Sequence, residues 1–199
     1  GGAVRTAPCS GNPPRDFGGI VLFRAGRLRP SAMTPVPSPG HLLVSAPVLS
    51  DPNFRRTVVL VCEHDPSGTF GLVLNRPLDL HLGDVLDGFG YPPPPLRYGG
   101  PVQTDTLHYL HRRPDLLDDA QFLVEGVFWG GDFEQLRDHF ATGRMGPDDA
   151  RFFLGYAGWS PDQLAGELEG DDWVLTPALA ADVFETPPDD LWRVVMQRL

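Results

Sequence analysis

The sequence predicts an α+β domain: a mixed, largely antiparallel β-sheet flanked by several helices. Apolar runs rich in β-branched residues come early and in pairs, with turn residues between them. Later strands alternate with amphipathic segments that open on Asp, Ser or Thr and close on Gly. With 199 residues, 41% of them hydrophobic, the chain can bury one core, so we expect a single compact domain.

The clearest predicted element is a β-hairpin. Residues 57–63, TVVLVCE, form a continuous apolar run that is typical of a strand covered on both faces. Residues 65–68, DPSG, have turn chemistry, and residues 69–75, TFGLVLN, form the next strand. We expect an antiparallel pair at the centre of the sheet.

The other elements follow from periodicity and capping signals. Strands are predicted at 42–48, 106–110, 122–129, 151–156 and 173–176, and helical spacing at 82–88. Further helices are predicted after Asp132, Ser160 and Thr186. For the helix after Ser160 we expect Ser160 as the N-cap, Pro161 at the first helical position and Gln163 as the capping-box partner.

Residues 1–40 differ from the remainder, which we assign to one domain over 41–199. They are rich in Gly and Pro without periodicity, so we expect a flexible extension that packs little against the domain. Its apolar run of four residues is too short for a signal-peptide core. Met33 precedes the first strand, and our hypothesis is that Met33 is the natural start and that residues 1–32 are upstream sequence.

Charge and cysteine content exclude several function classes. The formal charge is −10; residues 1–30 carry five Arg and one Asp, or +4, which leaves −14 for the remainder. Because an acidic surface repels phosphate and no helix has a dense basic face, we do not expect direct nucleic-acid binding.

No apolar run reaches about 20 residues, so no membrane span is predicted. Cys62 lies among valines as a buried small hydrophobe, and the absence of a CxxC pair fits a reducing cytoplasm.

Patterns for catalysis, metals and cofactors are weak. No serine stands in a G-x-S-x-G elbow, and Ser160 is better explained as a helix cap. The six histidines are scattered, and we interpret them as surface or loop residues. His108 and His111 would point to opposite faces of a strand rather than at one ion. Gly99-Gly100 matches no nucleotide-binding motif and predicts a tight turn, so we expect no cofactor and no metal.

Polar and aromatic side chains on two stretches are candidates for a binding site. The two ends of the predicted hairpin carry Arg and Asn pairs, and the stretch 151–167, RFFLGYAGWSPDQLAGE, adds aromatic rings beside a tight turn. The candidate ligand-binding residues are Asn53, Arg56, Asn75, Arg76, Tyr156, Trp159 and Gln163. Two interpretations stay open: a clamp for a carboxylate or phosphate, or side chains that anchor loops and the core. Glu63, His64 and Glu167 are the nearby acids and bases.

Five stretches together resemble the YqgE/AlgH family of bacterial proteins. They are LLVSAPVLSDPNFRRTVVLVCEH, GTFGLVLNRP, YGGPVQTDTLHYLH, RFFLGYAGWSPDQLAGEL and DDWVLTPA, within 42–178. The resemblance implies a compact α+β domain in a cytoplasmic protein linked by name to transcriptional control of exopolysaccharide synthesis. The usual family pattern after the Trp is Gly-Pro-Gly-Gln-Leu, so Asp162 replaces a small residue and adds negative charge near a helix N-terminus.

These observations favour a protein that acts by binding a small anion or another protein, with an indirect effect on gene expression. The alternative is an enzyme acting on a small phosphorylated or carboxylated substrate, and a direct DNA-binding regulator is the third class. An enzyme should have a concave pocket that holds Arg56 or Arg76 together with an acid or histidine. A protein-binding module should present an exposed apolar patch instead.

Overall fold

The computed structural model describes residues 4–6, 36–49 and 51–199. Its strands are β1 (Arg5–Thr6), β2 (His41–Ser45), β3 (Val58–Asp65), β4 (Gly68–Val73), β5 (Pro77–His81), β6 (Pro95–Tyr98), β7 (Val102–His111), β8 (Gln121–Val124), β9 (Val127–Trp129), β10 (Ala150–Trp159) and β11 (Trp173–Pro177). Its α-helices are α1 (Phe133–Ala141), α2 (Gln163–Glu169), α3 (Ala180–Phe184) and α4 (Pro188–Gln197).

The strands form one mixed sheet, in the order β11-β2-β3-β4-β10-β7-β9-β8. Every pair along this path is antiparallel. Two strands beside the path pair in parallel, β1 with β7 and β6 with β10, and β5 pairs with β6. The predicted fold class, an α+β domain with a mixed and largely antiparallel sheet, is confirmed.

The predicted central hairpin is present as β3 and β4. Val59 pairs with Val73 and Leu60 with Leu72, and both strands are flanked by further strands. At the turn, Asp65 Oδ1 accepts a hydrogen bond of 2.7 Å from the backbone N–H of Ser67, which is the local bond that favours Asp in turns. We call this turn the closed end of the hairpin and the opposite end, where β3 begins and β4 finishes, the open end.

Helices cover the curled sheet on different faces. Alternate residues of β2, β3 and β4 point to a core beneath α3 and α4, and the intervening residues point to a second core beneath α2. A third core, under α1, joins β6, β7 and the first half of β10. Since β10 contributes to all three cores, it is the strand that connects the layers.

Several predicted elements have different bounds or character. The segment 82–88 forms only a 3-10 turn at Leu82–Asp84, and 122–129 is a hairpin of two strands instead of one. The strands β5 and β6 and the helix α3 were not predicted. Residues 4–6 pack more than their composition suggests, because β1 pairs with Thr106 and Leu107. The remaining predictions for residues 1–3 and 7–35, including the one on Met33, lie outside the described residues.

Candidate functional site

Asn75 closes the open end of the hairpin. Its Oδ1 accepts from the backbone N–H of Val58 at 3.0 Å, and its Nδ2 donates to the carbonyl of Arg56 at 2.9 Å. The side chain is buried, so both amide atoms replace backbone pairing that the strand ends lack. Asn75 therefore anchors the loop before β3.

Arg76 makes contacts of the same kind. Its Nη2 donates to the carbonyl of Arg55 and, at 2.9 Å, to Oγ1 of Thr57. Its Nη1 lies 3.4 Å from the carbonyl oxygen of Asn75. Partial burial lowers the pKa of the guanidinium from its usual value. Arg76 holds the loop against the sheet.

Arg56 and Asn53 lie in the loop that these two side chains hold. Arg56 has a φ of 49°, and its guanidinium carbon lies 5.7 Å from the ring centroid of Trp192. The backbone N–H of Asn53 donates to Asp51 at 2.7 Å. Among the described residues, no carboxylate lies within 4.0 Å of Arg56 or Arg76. The open end thus gathers the residues that were predicted to meet there, while the anion clamp itself stays a prediction.

The three other candidate residues lie apart from the open end. Tyr156 is 2% exposed and stacks on Phe70, with ring centroids 4.6 Å apart. Trp159 is also buried, on the α2 side of the sheet, and Gln163 begins α2. In β10, Trp159 pairs with Thr69, which places it near the closed end of the hairpin.

Trp159 belongs to a hydrogen-bond network centred on Glu167. The indole N–H groups of Trp159 and Trp173 both donate to Oε2 of Glu167 at 2.8 Å, and Nε2 of Gln163 donates to Oε1 at 3.0 Å. Bonds to an ionised acceptor are stronger than neutral ones. The sequence signal for this network was the i, i+4 spacing of Gln163 and Glu167 on a helix, but nothing local pointed to Trp173.

The curl of the sheet explains how the two tryptophans meet. Trp159 is on β10 and Trp173 on β11, with β2, β3 and β4 between them. A flat sheet would separate these strands by about 19 Å. The ring centroids are nevertheless 5.9 Å apart, and Phe54 packs on both rings. The edge strand β11 and the internal strand β10 therefore approach each other on the α2 side of the sheet, and Glu167 joins them.

A groove of about 490 Å³ lies at the closed end of the hairpin. One wall is the turn of β3 and β4, and the other is the segment between β10 and α2 together with α2 itself. We call it the closed-end groove; its lining includes Pro37, His64, Thr69, Asp162, Leu164 and Ala165. The end of the stretch 151–167 forms one wall of this groove, opposite the turn of the hairpin. The groove holds neither Arg56 nor Arg76, because these arginines lie at the open end.

His64 and Thr69 are the polar pair in the closed-end groove. Nδ1 of His64 lies 2.8 Å from Oγ1 of Thr69, a distance suited to a base and a nucleophile. However, Thr69 is 2% exposed and lies within β4, which leaves little room for a substrate to reach its hydroxyl. The pair is better placed to fix the imidazole than to attack a substrate.

His108 and His111 are buried, so their interpretation as surface or loop histidines was wrong. His108 is 3% exposed and lies against Phe70 and Tyr156, and His111 has no exposed area. Burial lowers the pKa of each to about 4. They point to opposite faces of β7, as predicted, because Leu110 lies in the core beneath α3 and α4 whereas Tyr109 lies in the core beneath α1.

Two further absences concern the described residues. Within residues 4–6, 36–49 and 51–199, no three His, Cys, Asp or Glu side chains are grouped so that they could hold a metal ion. In the same residues no helix is long and apolar enough to cross a membrane.

Comparison with known proteins decides the family. The AlgH-like family model, DUF179, matches residues 42–199. The chain belongs to the AlgH-like family. A UPF0301 protein from Chlorobaculum parvum is 45% identical over 153 residues, which is 77% of this chain and 82% of the relative. A UPF0301 protein from Chlorobaculum tepidum is 45% identical over 154 residues, with the same two coverages.

Solved structures agree with this assignment. The solution structure of the AlgH protein from Pseudomonas aeruginosa is similar with a TM-score of 0.65 and 33% identity, over 87% of this chain and 92% of that chain. A crystal structure of a protein from Corynebacterium diphtheriae is similar with a TM-score of 0.67 and 30% identity, over 83% and 88%. The family resemblance of the five sequence stretches is thereby confirmed.

Asp162 stands where the family resemblance implies a small residue, and its backbone conformation is one that suits such a residue. Asp162 has a φ of 66°, in the left-handed region that suits glycine. It is the N-cap of α2, which begins at Gln163, so the prediction of Ser160 as the cap was wrong. The hydroxyl of Ser160 instead donates to Oε1 of Gln163 at 3.3 Å, and the same oxygen accepts from the backbone N–H of Ser160 at 3.1 Å.

The structure also brings together arginines that sequence reasoning missed. Arg97 in β6 and Arg151 in β10 lie on neighbouring strands, and Arg112 follows β7. All three were scattered along the sequence, and β6 itself was not predicted, so no local signal joined them.

Proposed function

We propose that this AlgH-like protein is a non-enzymatic binding protein whose closed-end groove holds an extended segment of a partner protein. The observation that supports this is the composition of the groove. Its walls are largely apolar, with Pro37, Leu164 and Leu168 among them, and it holds neither Arg56 nor Arg76. The alternative of an enzyme that uses the predicted arginine clamp requires Arg56 or Arg76 in a concave pocket with an acid or histidine.

The chemistry of the groove indicates which segment it would bind. Apolar walls favour a large apolar side chain of the partner. Asp162 is exposed at the rim of the groove, so it would attract a basic residue beside that apolar one. The strong negative charge of the chain would also speed the approach of a basic partner.

Polar side chains elsewhere in the candidate site support the same conclusion. Asn75 and Arg76 are engaged by loop backbone, and Trp159 and Gln163 by Glu167. A side chain whose donors are already bonded gains little by binding a ligand. These contacts favour the interpretation of the polar candidate residues as anchors.

The regulatory role and cellular location are part of this proposal. Resemblance to a family linked by name to transcriptional control supports an indirect effect on gene expression through the bound partner. Cys62 is a buried free thiol, which is compatible with a reducing cytoplasm.

The experiment is a selection from a phage-displayed library of random dodecapeptides, followed by fluorescence anisotropy with the enriched peptides. We expect sequences that combine an apolar and a basic residue. Ala165→Arg places a cation in the groove wall and should weaken binding by about tenfold or more. Asp162→Asn, which tolerates the same backbone, should weaken it by about threefold to tenfold.

The matched control is Asp189→Asn, which removes an exposed charge from the first turn of α4. It should leave the affinity unchanged. The proposal is overturned if no peptide is enriched above background, or if Ala165→Arg and Asp189→Asn bind the selected peptides equally well.

A further inference from the structure

A cluster of arginines lies on one face of the sheet, away from the closed-end groove. Arg97 pairs in register with Phe153 of β10, and Arg151 precedes Phe153 by two residues, so both side chains leave the same face. Arg151 pairs with Leu110 of β7, two residues before Arg112, which brings Arg112 to that face as well. The register alone therefore gathers three cations.

Contacts with α3 fix two of the three. The guanidinium carbons of Arg112 and Arg151 lie 4.3 and 5.3 Å from the ring centroid of Phe184. Arg151 also donates from Nη2 to the carbonyl of Phe184 at 2.6 Å, at the end of α3. Its Nη1 donates to the carbonyls of Pro147 and Ala150 at 2.6 and 3.0 Å. These bonds orient Arg151, and its Nε–H makes no hydrogen bond to any residue that the structure describes.

Arg97 uses few of its guanidinium N–H donors within the described residues. Its Nη1 donates to the carbonyl of Leu74 at 2.9 Å, which is its one side-chain hydrogen bond within the described residues. A guanidinium has five N–H donors in a planar fork that matches carboxylate and phosphate oxygens. Four of the five donors of Arg97 therefore make no hydrogen bond to the described part of the chain.

Negative charge around these arginines is sparse. Within the described part of the chain, no carboxylate lies within 4.0 Å of Arg97 or Arg151, and Arg112 has only Glu185 at 3.8 Å. Burial and then the charge of Arg151 lower the pKa of Arg97 to about 10. Burial also lowers the pKa of Arg151, with Arg112 acting in the same direction and Asp148 opposing it. Half-buried like charges repel one another, and a bound anion would relieve that cost.

We propose that Arg97 and Arg151 form a binding site for a small oxyanion, of the phosphate class, that is separate from the closed-end groove. Arg97 would bind two oxygens through its free fork, and Arg151 would donate from Nε. Arg112 would add charge from the rim, where Glu185 holds it loosely.

The test uses the full chain and inorganic phosphate, titrated by isothermal calorimetry at constant ionic strength. We expect saturable binding by the unsubstituted protein. Arg97→Gln and Arg151→Gln should each lower the affinity by about tenfold or more, because each removes a charged donor. Arg193→Gln is the matched control: Arg193 is exposed on α4, paired with Asp190, and its replacement should have no effect.

Thermal unfolding separates this role from a purely structural one. Phosphate should raise the Tm of the unsubstituted protein and of Arg193→Gln, and should leave that of Arg97→Gln unchanged. Without phosphate, the Tm of Arg97→Gln should differ little from that of the unsubstituted protein, because the substitution removes a repelling charge together with the bond to the carbonyl of Leu74. Any one of three results overturns the inference. The first is the absence of saturable binding up to about 10 mM phosphate, and the second is a phosphate affinity that Arg193→Gln lowers as much as Arg97→Gln does. The third is a Tm of Arg97→Gln that phosphate raises as much as that of the unsubstituted protein.

Discussion

The open end and the closed end of the β3–β4 hairpin use polar side chains in different ways. At the open end, Asn75 and Arg76 bond to the backbone of residues 55–58 and hold that loop against the sheet. At the closed end, His64 and Thr69 bond to each other and Ser160 bonds to Gln163, while apolar side chains line a groove between them. The polar side chains of the open end anchor a loop, whereas those of the closed end border a groove.

This difference teaches that convergence of polar residues is a weak indicator of a binding site. The sequence places Arg and Asn pairs at both strand termini of the open end, which suits a clamp and an anchor equally well. The two roles differ in the number of side-chain N–H donors that make no hydrogen bond to the backbone and so remain for a ligand. By that criterion Arg97, which no motif marks, is a better anion ligand than Arg76.

The largest expected effect is a pH dependence of stability that follows from the burial of His108. His108 has a folded pKa of about 4, below the usual value of 6.5, so its contribution is complete above pH 6.5 and is lost as the pH falls toward 4. Between pH 7 and pH 4.5 the loss should be about 2 kcal/mol. Urea unfolding of His108→Phe should show a correspondingly smaller loss, whereas the exposed His81→Gln should behave like the unsubstituted protein. Equal pH dependence in all three would contradict the burial of a neutral imidazole.

A second test probes the network behind the closed-end groove. Glu167→Gln removes the charge that receives two indole N–H groups and places an amide donor against them. We expect a loss of about 2 kcal/mol in the free energy of unfolding. Glu134→Gln, at an exposed i, i+3 pair with Arg137, should change it by less than about 0.5 kcal/mol. If the two substitutions cost the same, the Glu167 network does not hold the groove wall.

The open end is tested by Asn75→Ala. The substitution leaves the backbone N–H of Val58 and the carbonyl of Arg56 without their partner in a buried position, so we expect a loss of about 1–2 kcal/mol. Asn53→Ala is the matched control, since within the described residues only the backbone of Asn53 makes a hydrogen bond. Should Asn75→Ala keep full stability and instead abolish phosphate binding, the open end would be the clamp and the comparison would be reversed.

Local pattern predicts the central layers well and the outer ones poorly. The run 57–63 and the turn 65–68 specify the hairpin because burial on both faces and turn chemistry act over a few residues. The strands β5 and β6 were missed because they hold four or five residues beside a proline-rich run, with little periodicity of their own. The meeting of Trp159 with Trp173, and of Arg97 with Arg151, depends on sheet curl and strand order, which no short window of sequence contains.

The smallest expected effect returns to the turn where the groove and α2 meet. Asp162 adopts a φ of 66°, a conformation that costs an L-residue more than glycine. Asp162→Gly should therefore raise the free energy of unfolding by about 0.5 kcal/mol, the relief of strain being partly offset by the greater entropy of an unfolded glycine. Asp189→Gly, in the first turn of α4, should lower it by about 0.5–1 kcal/mol, since no strain is relieved there. Because Asp162 also supplies the rim charge, Asp162→Gly should bind the selected peptides more weakly although it is more stable. If Asp162→Gly is less stable than the unsubstituted protein and binds the selected peptides equally well, both the backbone strain and the rim charge assigned to Asp162 are contradicted.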